Sequence, residues 1–152
     1  MDRFDRAILR EQQITSSRSI AELAEAVGVS PSACHRRLRA LEQSGVIAGY
    51  AARLDPGKLG LAAEIFVEIT LASQSREAMD AFEAAVGRFD DILECHLTSG
   101  AADYILRVAA ENLQHFDSIH RDCLARLPGV SSMRSSFSIR TIKRMRGFPV
   151  RA

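Results

Sequence analysis

Two short amphipathic segments meet at Gly28-Val29-Ser30, and no other feature restricts the fold of this chain as much. In Ser19–Val27 the residues Ile20, Leu23, Ala24 and Val27 recur at helical spacing, and Ser19 with Glu22 forms a capping box. Gly28 stops that helix. Ser30 then reads as the N-cap of another, with Pro31 at the first helical position, where a missing N–H costs nothing. The new helix turns Ala33, Cys34, Leu38 and Leu41 inward and ends at Ser44-Gly45. Ala24 lies four residues before Gly28. A small side chain is needed there because the second helix crosses close by, and glycine permits the sharp turn. An earlier helix, Phe4–Ile14, carries Phe4, Ala7, Ile8 and Ile14 on one face and is broken by Thr15-Ser16-Ser17. The spacing predicts a helix-turn-helix. Val46–Leu54 follows with the pattern of a short β-ribbon, a wing, closed by Asp55-Pro56-Gly57.

Beyond that turn the rhythm changes. Ile65, Val67, Ile69 and Leu71 alternate as in a strand. Met79, Phe82, Val86 and Phe89 return to helical spacing within Ser75–Phe89. Ile92–Thr98 and Tyr104–Ala109 read as strands joined by Ser99–Asp103. Leu113, Phe116, Ile119, Cys123, Leu124 and Leu127 mark a helix, Pro128-Gly129 turns the chain, and Met133–Ile142 is a last strand. The order β-α-β-β-α-β is the ferredoxin-like split unit. The fold class is therefore α+β: a winged helix-turn-helix over residues 1–55, a linker over 56–61, and a ferredoxin-like domain over 62–152. No internal repeat and no low-complexity segment interrupts this plan.

Several function classes are disfavoured. No apolar run approaches the ~20 residues of a membrane span, and the start, MDRFDRAILR, lacks the apolar stretch of a secretory signal. Cys34, Cys95 and Cys123 are odd in number and widely spaced, which fits a reduced intracellular chain and small core residues. His115 and His120 are five apart and do not stack on one helical face. Cys95 and His96 are neighbours on a strand and point to opposite faces, a poor geometry for a nucleophile and its base. There is no Gly-rich phosphate loop and no nucleophile elbow. The expectation is a protein that is not an enzyme, with no catalytic residues, no metal and no cofactor.

The helix after the turn presents Ser32, His35, Arg36, Arg37 and Arg39. In a helix-turn-helix this element enters the DNA major groove, where arginine bridges two acceptors on guanine or grips phosphates. The Ser30 and Ser32 hydroxyls at the helix start, beside Pro31, suit a phosphate oxygen, and Arg53 on the wing suits the backbone. As an ordinary feature, a basic helix face is simply solvated. Turn, small residue, cap, basic helix and ribbon agree here, however, on double-stranded DNA. The near-neutral total, 20 basic against 19 acidic residues, does not oppose this reading. Within Ser30–Arg53 four arginines meet one acid, Glu42, and local field matters more than net charge. The tail Arg134–Ala152 carries six bases and no acid, which fits DNA contact, a solubilising end, or ion pairs to a neighbouring subunit. The rival class is a small-molecule-binding module without DNA; the intact basic helix weighs against it.

The segments DRFDRAIL, SIAELAEAVGVSPSACHRRLRALEQSGVIAGYAARLDPGKLG, FVEITL, ILECHLTSGAADYILRV, LPGV and RSSFSIRTIK together resemble the Lrp/AsnC (feast/famine) transcriptional regulators over nearly the whole chain. The resemblance implies a winged helix-turn-helix and a domain that binds a small effector, usually an amino acid. It also implies homodimers on a pseudo-palindromic operator, assembly into octamers as tetramers of dimers, and a cytoplasmic, nucleoid-associated place in a bacterium or archaeon. The effector would bind between subunits near the turn Ser99–Tyr104. Gly100 would approach a carboxylate, Asp103 would take an α-ammonium, and Tyr104 would pack or hydrogen-bond. His96 and Thr98 lie on the strand leading in, and Ser135 and Ser136 come from the last strand. Ala101 stands where many relatives carry an acid. As ordinary turn residues, Asp103 caps local backbone and Gly100 serves hairpin geometry.

Overall fold

Asp2 starts the first helix, α1 (Arg3–Ile14), by accepting the N–H groups of Phe4 and Asp5 at 2.8 and 3.0 Å, while the Asp5 carboxylate accepts the Asp2 N–H at 2.9 Å. This reciprocal box satisfies donors that a helix start leaves without partners. The same device, Ser19 with Glu22, opens α2 (Ile20–Val27). In this computed structural model, which describes residues 1–151, α2 ends at Gly28 in the left-handed conformation, φ +75°. The Gly28 N–H reaches the Glu25 carbonyl and the Val29 N–H reaches the Ala24 carbonyl at 3.0 Å, which closes the helix end in a Schellman motif. Ser30 then caps α3 (Pro31–Gln43), its hydroxyl accepting the Ala33 N–H, with Pro31 in the first turn.

Ile8, Leu9, Leu23, Ala24, Cys34, Leu38 and Leu41 form one core, with Ile20, Val27, Val29, Ile47 and Val150 packed against it. Ala24 is 1% exposed, in keeping with the small residue the crossing requires. The β-ribbon expected over Val46–Leu54 is not formed; the segment is irregular and largely exposed. The Ile47 N–H folds back to the Leu41 carbonyl instead. A lone two-stranded ribbon is marginal in water, and these residues find no sheet to join within the chain.

By contact the chain divides into two units, Met1–Arg53 with Ile142–Ala152, and Leu54–Thr141. The residues from Ile142 on, which the sequence assigns to the 62–152 domain, thus cluster with the helical unit.

The second unit is a four-stranded antiparallel sheet in the order β2-β3-β1-β4. Its strands are β1 (Ala63–Leu71), β2 (Ile92–Leu97), β3 (Tyr104–Ala110) and β4 (Val130–Phe137). Helices α4 (Arg76–Val86) and α5 (Leu113–Asp122) complete the β-α-β-β-α-β order, and α5 runs on into a single 3-10 turn, Leu124–Arg126. Ile65, Val67, Ile69 and Leu71 of β1 alternate into the core with Tyr104, Leu106 and Val108 of β3. Phe82 and Val86 of α4 and Phe116 and Ile119 of α5 cover them. The other sheet face carries Glu64, Phe66, Glu68, Glu94, Arg107 and Arg134, where Arg107 bridges Glu64 and Glu94. β4 begins earlier than the predicted Met133 and stops at Phe137 rather than Ile142. Phe137 already lies opposite Ile65, and the Ser138 N–H takes the Glu64 carbonyl, so β1 offers no further ladder.

A Cβ at Gly28 would meet nothing within 4 Å, so only backbone strain opposes a side chain there. We expect Gly28→Ala to cost about 1–2 kcal/mol in urea unfolding of the full chain. An unchanged midpoint would mean that the turn is not held in the left-handed conformation.

Candidate functional site

Ser32, His35, Arg36 and Arg39 fall at i, i+3, i+4 and i+7 of α3, and all four are exposed. This is the outward face opposite Cys34, Leu38 and Leu41. Arg39 lies 3.4 Å from Glu42. His35 and Arg36 take part in no ion pair among the described residues. Pro31 is exposed at the start of the helix, and the Ser30 hydroxyl is shared between the Ala33 N–H and the Ser32 hydroxyl, each at 3.3 Å.

Arg37 does not join this face. Its guanidinium donates to Asp2 at 2.7 Å and to Asp5 at 2.8 Å, and lies 5.4 Å from the centre of the Phe4 ring. It is a clamp between α3 and the start of α1. Arg53 is exposed and lines a cleft with Arg10 and Arg146 in the same unit.

In the second unit a cleft of about 370 Å³ opens beside the β2–β3 loop, lined by Leu71, Gln74, Met79, Leu97, Thr98, Ser99, Gly100 and Asp103. Asp103 holds this corner together. Its carboxylate accepts the Leu71 N–H and the Gln74 side-chain amide, each at 2.7 Å. Its own N–H donates to the Ile69 carbonyl, and its carbonyl accepts the Thr98 N–H. The Thr98 hydroxyl donates to the Ala102 carbonyl at 2.6 Å. No atom lies within 4 Å of where a Gly100 Cβ would stand, so that backbone is open to approach.

Of the residues expected around this turn, the fold gathers Thr98, Gly100 and Asp103 and separates the rest. Tyr104 is 1% exposed, with its ring centre 4.6 Å from that of Phe82 and its hydroxyl donating to Glu83 at 2.8 Å. Burial, and then Glu83, push its phenol well above the ordinary tyrosine range. His96 sits exposed on β2, 3.4 Å from Glu94. Ala101 is exposed and outside the cleft lining. Ser135 lies opposite Val67 on the helix-covered face, and Ser136 lies opposite Phe66 on the other. Adjacent strand residues cannot share a face, so the two serines cannot serve one pocket in the same way. Leu71, Gln74, Met79 and Leu97 went unanticipated. Their sequence signals are those of strand ends and an ordinary helix face, and only the loop packing brings them together.

An exposed cationic face on the second helix of a helix-turn-helix, with a ligand-sized cleft in an α+β unit, is the build of a transcriptional regulator that carries a ligand-binding domain. Family descriptions agree: the AsnC-type helix-turn-helix domain matches residues 1–42, and the Lrp/AsnC ligand binding domain matches residues 64–148. The chain belongs to the Lrp/AsnC family of transcriptional regulators. It is 48% identical over 116 residues to the HTH-type transcriptional regulator y4sM of Sinorhizobium fredii, covering 76% of this chain and 91% of that one. It is 39% identical over 143 residues to the leucine-responsive regulatory protein of Salmonella typhimurium, covering 94% and 87% of the two chains. Among solved structures, a Neisseria meningitidis transcriptional regulator in complex with L-Met superposes with a TM-score of 0.94 at 31% identity, covering 99% of this chain and 97% of that one. No helix among the described residues is long and apolar enough to cross a membrane.

The Arg37 clamp has a pH signature. The Asp5 backbone N–H, and then the Arg37 guanidinium, hold the Asp2 carboxyl below the ordinary aspartate range. A carboxylate depressed on folding adds stability that is complete above its unfolded value and is lost as pH falls through the folded one. We expect the Asp2 carboxyl, followed by NMR, to titrate below that range and to move upward in Arg37→Gln. A midpoint unmoved by the substitution would count against the clamp.

Proposed function

We propose that this regulator reads double-stranded DNA with Ser32, His35, Arg36 and Arg39 of α3, and that an amino acid bound beside the β2–β3 loop controls it. The observation that carries the DNA reading is the exposed i, i+3, i+4, i+7 face, with Arg36 unpaired among the described residues. Arg36 makes the base contact, because a guanidinium matches two acceptors of guanine. Ser30, Ser32 and Pro31 lie against the phosphate backbone at the helix start, and Arg53 adds a backbone contact. Arg37 acts through position, holding α3 against α1.

The protein works as a homodimer on a pseudo-palindromic operator, with octamers built from four dimers. The second face of the sheet supports assembly, with the Phe66 ring 40% exposed on it. His96 and Ser136 lie on that face, so a ligand that meets them is shared with a second copy. The protein is a cytoplasmic binding protein that catalyses no reaction.

The effector reading rests on the cleft's size and chemistry. Ligand sites typically measure about 300–1,000 Å³, and this one combines Leu71, Met79 and Leu97 with Asp103, Thr98 and the open backbone at Gly100. The apolar members suit an apolar side chain. Each Asp103 oxygen keeps a further lone-pair site, so the carboxylate takes an α-ammonium while it holds the loop. The Salmonella relative is named for leucine and the Neisseria regulator was crystallised with L-Met, which supports this class of ligand. Occupancy changes DNA affinity only if the amino acid binds one assembly or orientation more tightly than another.

Selection of duplexes from a randomised pool by the full chain tests the DNA reading. A pseudo-palindromic consensus is expected, with Arg36→Ala losing about 1–3 kcal/mol and relaxing one position of each half-site. No enrichment, or unchanged binding by Arg36→Ala, would overturn it. Calorimetry against the twenty amino acids tests the cleft. An apolar amino acid should bind, and Asp103→Asn should weaken it about tenfold, the scale of a hydrogen bond to a charged group. Equal affinity in the variant would remove the ammonium role from Asp103.

A further inference from the structure

Three arginines from distant parts of the chain line one cleft in the helical unit. Arg10 comes from α1, Arg53 from the segment after α3, and Arg146 from the C-terminal tail. With Gln13, Ile14, Gly147 and Phe148 they border about 530 Å³. Among the described residues no carboxylate lines this cleft. None of the three arginines takes part in an ion pair among the described residues. Among the described residues the Arg10 side chain makes one hydrogen bond, a long one of 3.4 Å to the Val150 carbonyl.

The tail is held there by its backbone. The Gln13 carboxamide takes both polar groups of Phe148, donating to its carbonyl at 3.0 Å and accepting its N–H at 2.5 Å. A Cβ on Gly147, φ +142°, would stand against the Gln13 carboxamide, so a side chain there would strain the backbone and push aside the group that holds Phe148. Val150 packs against the helical core. Because backbone and Val150 do the holding, the basic side chains Lys143, Arg144, Arg146 and Arg151 stay exposed. They alter the unit's charge. Residues 1–53 carry eight basic and six acidic side chains; with the tail the unit has twelve against six, a net of +6. Leu54–Thr141 has eight basic and thirteen acidic side chains, a net of −5.

We propose that the tail is a second DNA-contacting element, and that Arg10, Arg53 and Arg146 together receive phosphates of the duplex backbone. This rests on the reading of α3 as the base-reading helix and adds a site to it. Converging cations with no counter-charge among the described residues match a polyanion, and binding there releases the counterions that otherwise screen both surfaces. An extended strap of backbone with arginines on it offers charge without base readout, so the cleft supplies affinity and leaves sequence preference to α3.

The test uses the full chain, the duplex it selects, and a scrambled duplex of equal length, each titrated between 50 and 200 mM salt. The triple variant Arg10→Gln, Arg53→Gln, Arg146→Gln should lower the slope of log affinity against log salt by about 2.7 on both duplexes, roughly 0.9 per lost phosphate contact. The selected-to-scrambled ratio should stay unchanged. Lysine at the same three positions, which keeps the charge, should restore most of the slope. If circular dichroism shows the triple variant unfolded, Arg146→Gln alone decides, because among the described residues the Arg146 side chain makes no hydrogen bond or ion pair that holds the tail; its slope should fall by about 0.9. An unchanged slope in Arg146→Gln, or a changed selected-to-scrambled ratio, overturns the phosphate site. If Arg36→Ala abolishes the preference while the cleft variants keep their slope, the cleft fails and the reading of α3 stands. If the unmodified chain binds neither duplex, both fail.

Discussion

An unpaired charge taken out of water costs several kcal/mol, and both cores of this chain are arranged within that limit. Among the described residues no charged side chain is buried, and the one buried hydroxyl among them, that of Tyr104, donates to Glu83. On α3, where Cys34, Leu38 and Leu41 must face inward, the arginines are left with the flank or the outside. Helical period then decides which. Arg37 falls on the flank beside α1 and is met there by Asp2 and Asp5. Arg36 and Arg39 fall outward with Ser32 and His35. The outward face of α3 is thus the remainder after the core and the clamp have taken their positions.

In the sheet unit the same exclusion sorts residues by strand alternation. Ile65, Val67, Ile69 and Leu71 take the helix-covered side of β1, so Glu64, Phe66 and Glu68 are forced onto the other, where Arg107 and Arg134 answer them from neighbouring strands. The cleft forms where this order ends. β1 finishes at Leu71, whose N–H would have no strand partner without the Asp103 carboxylate. One side chain therefore closes the end of an inner strand and places a carboxylate at the rim of a ligand-sized space. An effector that contacts Asp103 also touches the fastening between the β2–β3 loop and β1.

Charge is divided between the units more strongly than the total of +1 indicates. The acids concentrate in the sheet unit, and the bases of the last eleven residues return to the helical unit. A small helical core gains Val150 from the tail, and the hydrogen bonds of Gln13 to Phe148 place the basic residues beside Arg10 and Arg53. Packing and electrostatics act through the same segment.

The helix-turn-helix was legible because its determinants are local: Ser19 with Glu22, the left-handed Gly28, and Ser30-Pro31 act within a few residues. The β-α-β-β-α-β order was legible because period two and period 3.6 alternate cleanly. Thr98, Gly100 and Asp103 came from a resemblance and were found at one cleft. Tyr104, Ser135 and Ser136 were not, because a strand's in-or-out choice depends on which face the helices cover. The ribbon over Val46–Leu54 failed for a related reason: β pattern without a pairing partner does not make a strand. The sequence by itself thus determined the elements, their order and the turn, through short-range capping and periodicity. Tertiary structure alone decided that Arg37 is a clamp, that Gln74 and Met79 join Asp103, and that the tail brings Arg146 to Arg10 and Arg53. Those contacts join residues roughly 25 to 135 positions apart, and nothing in local spacing encodes the path by which the chain returns.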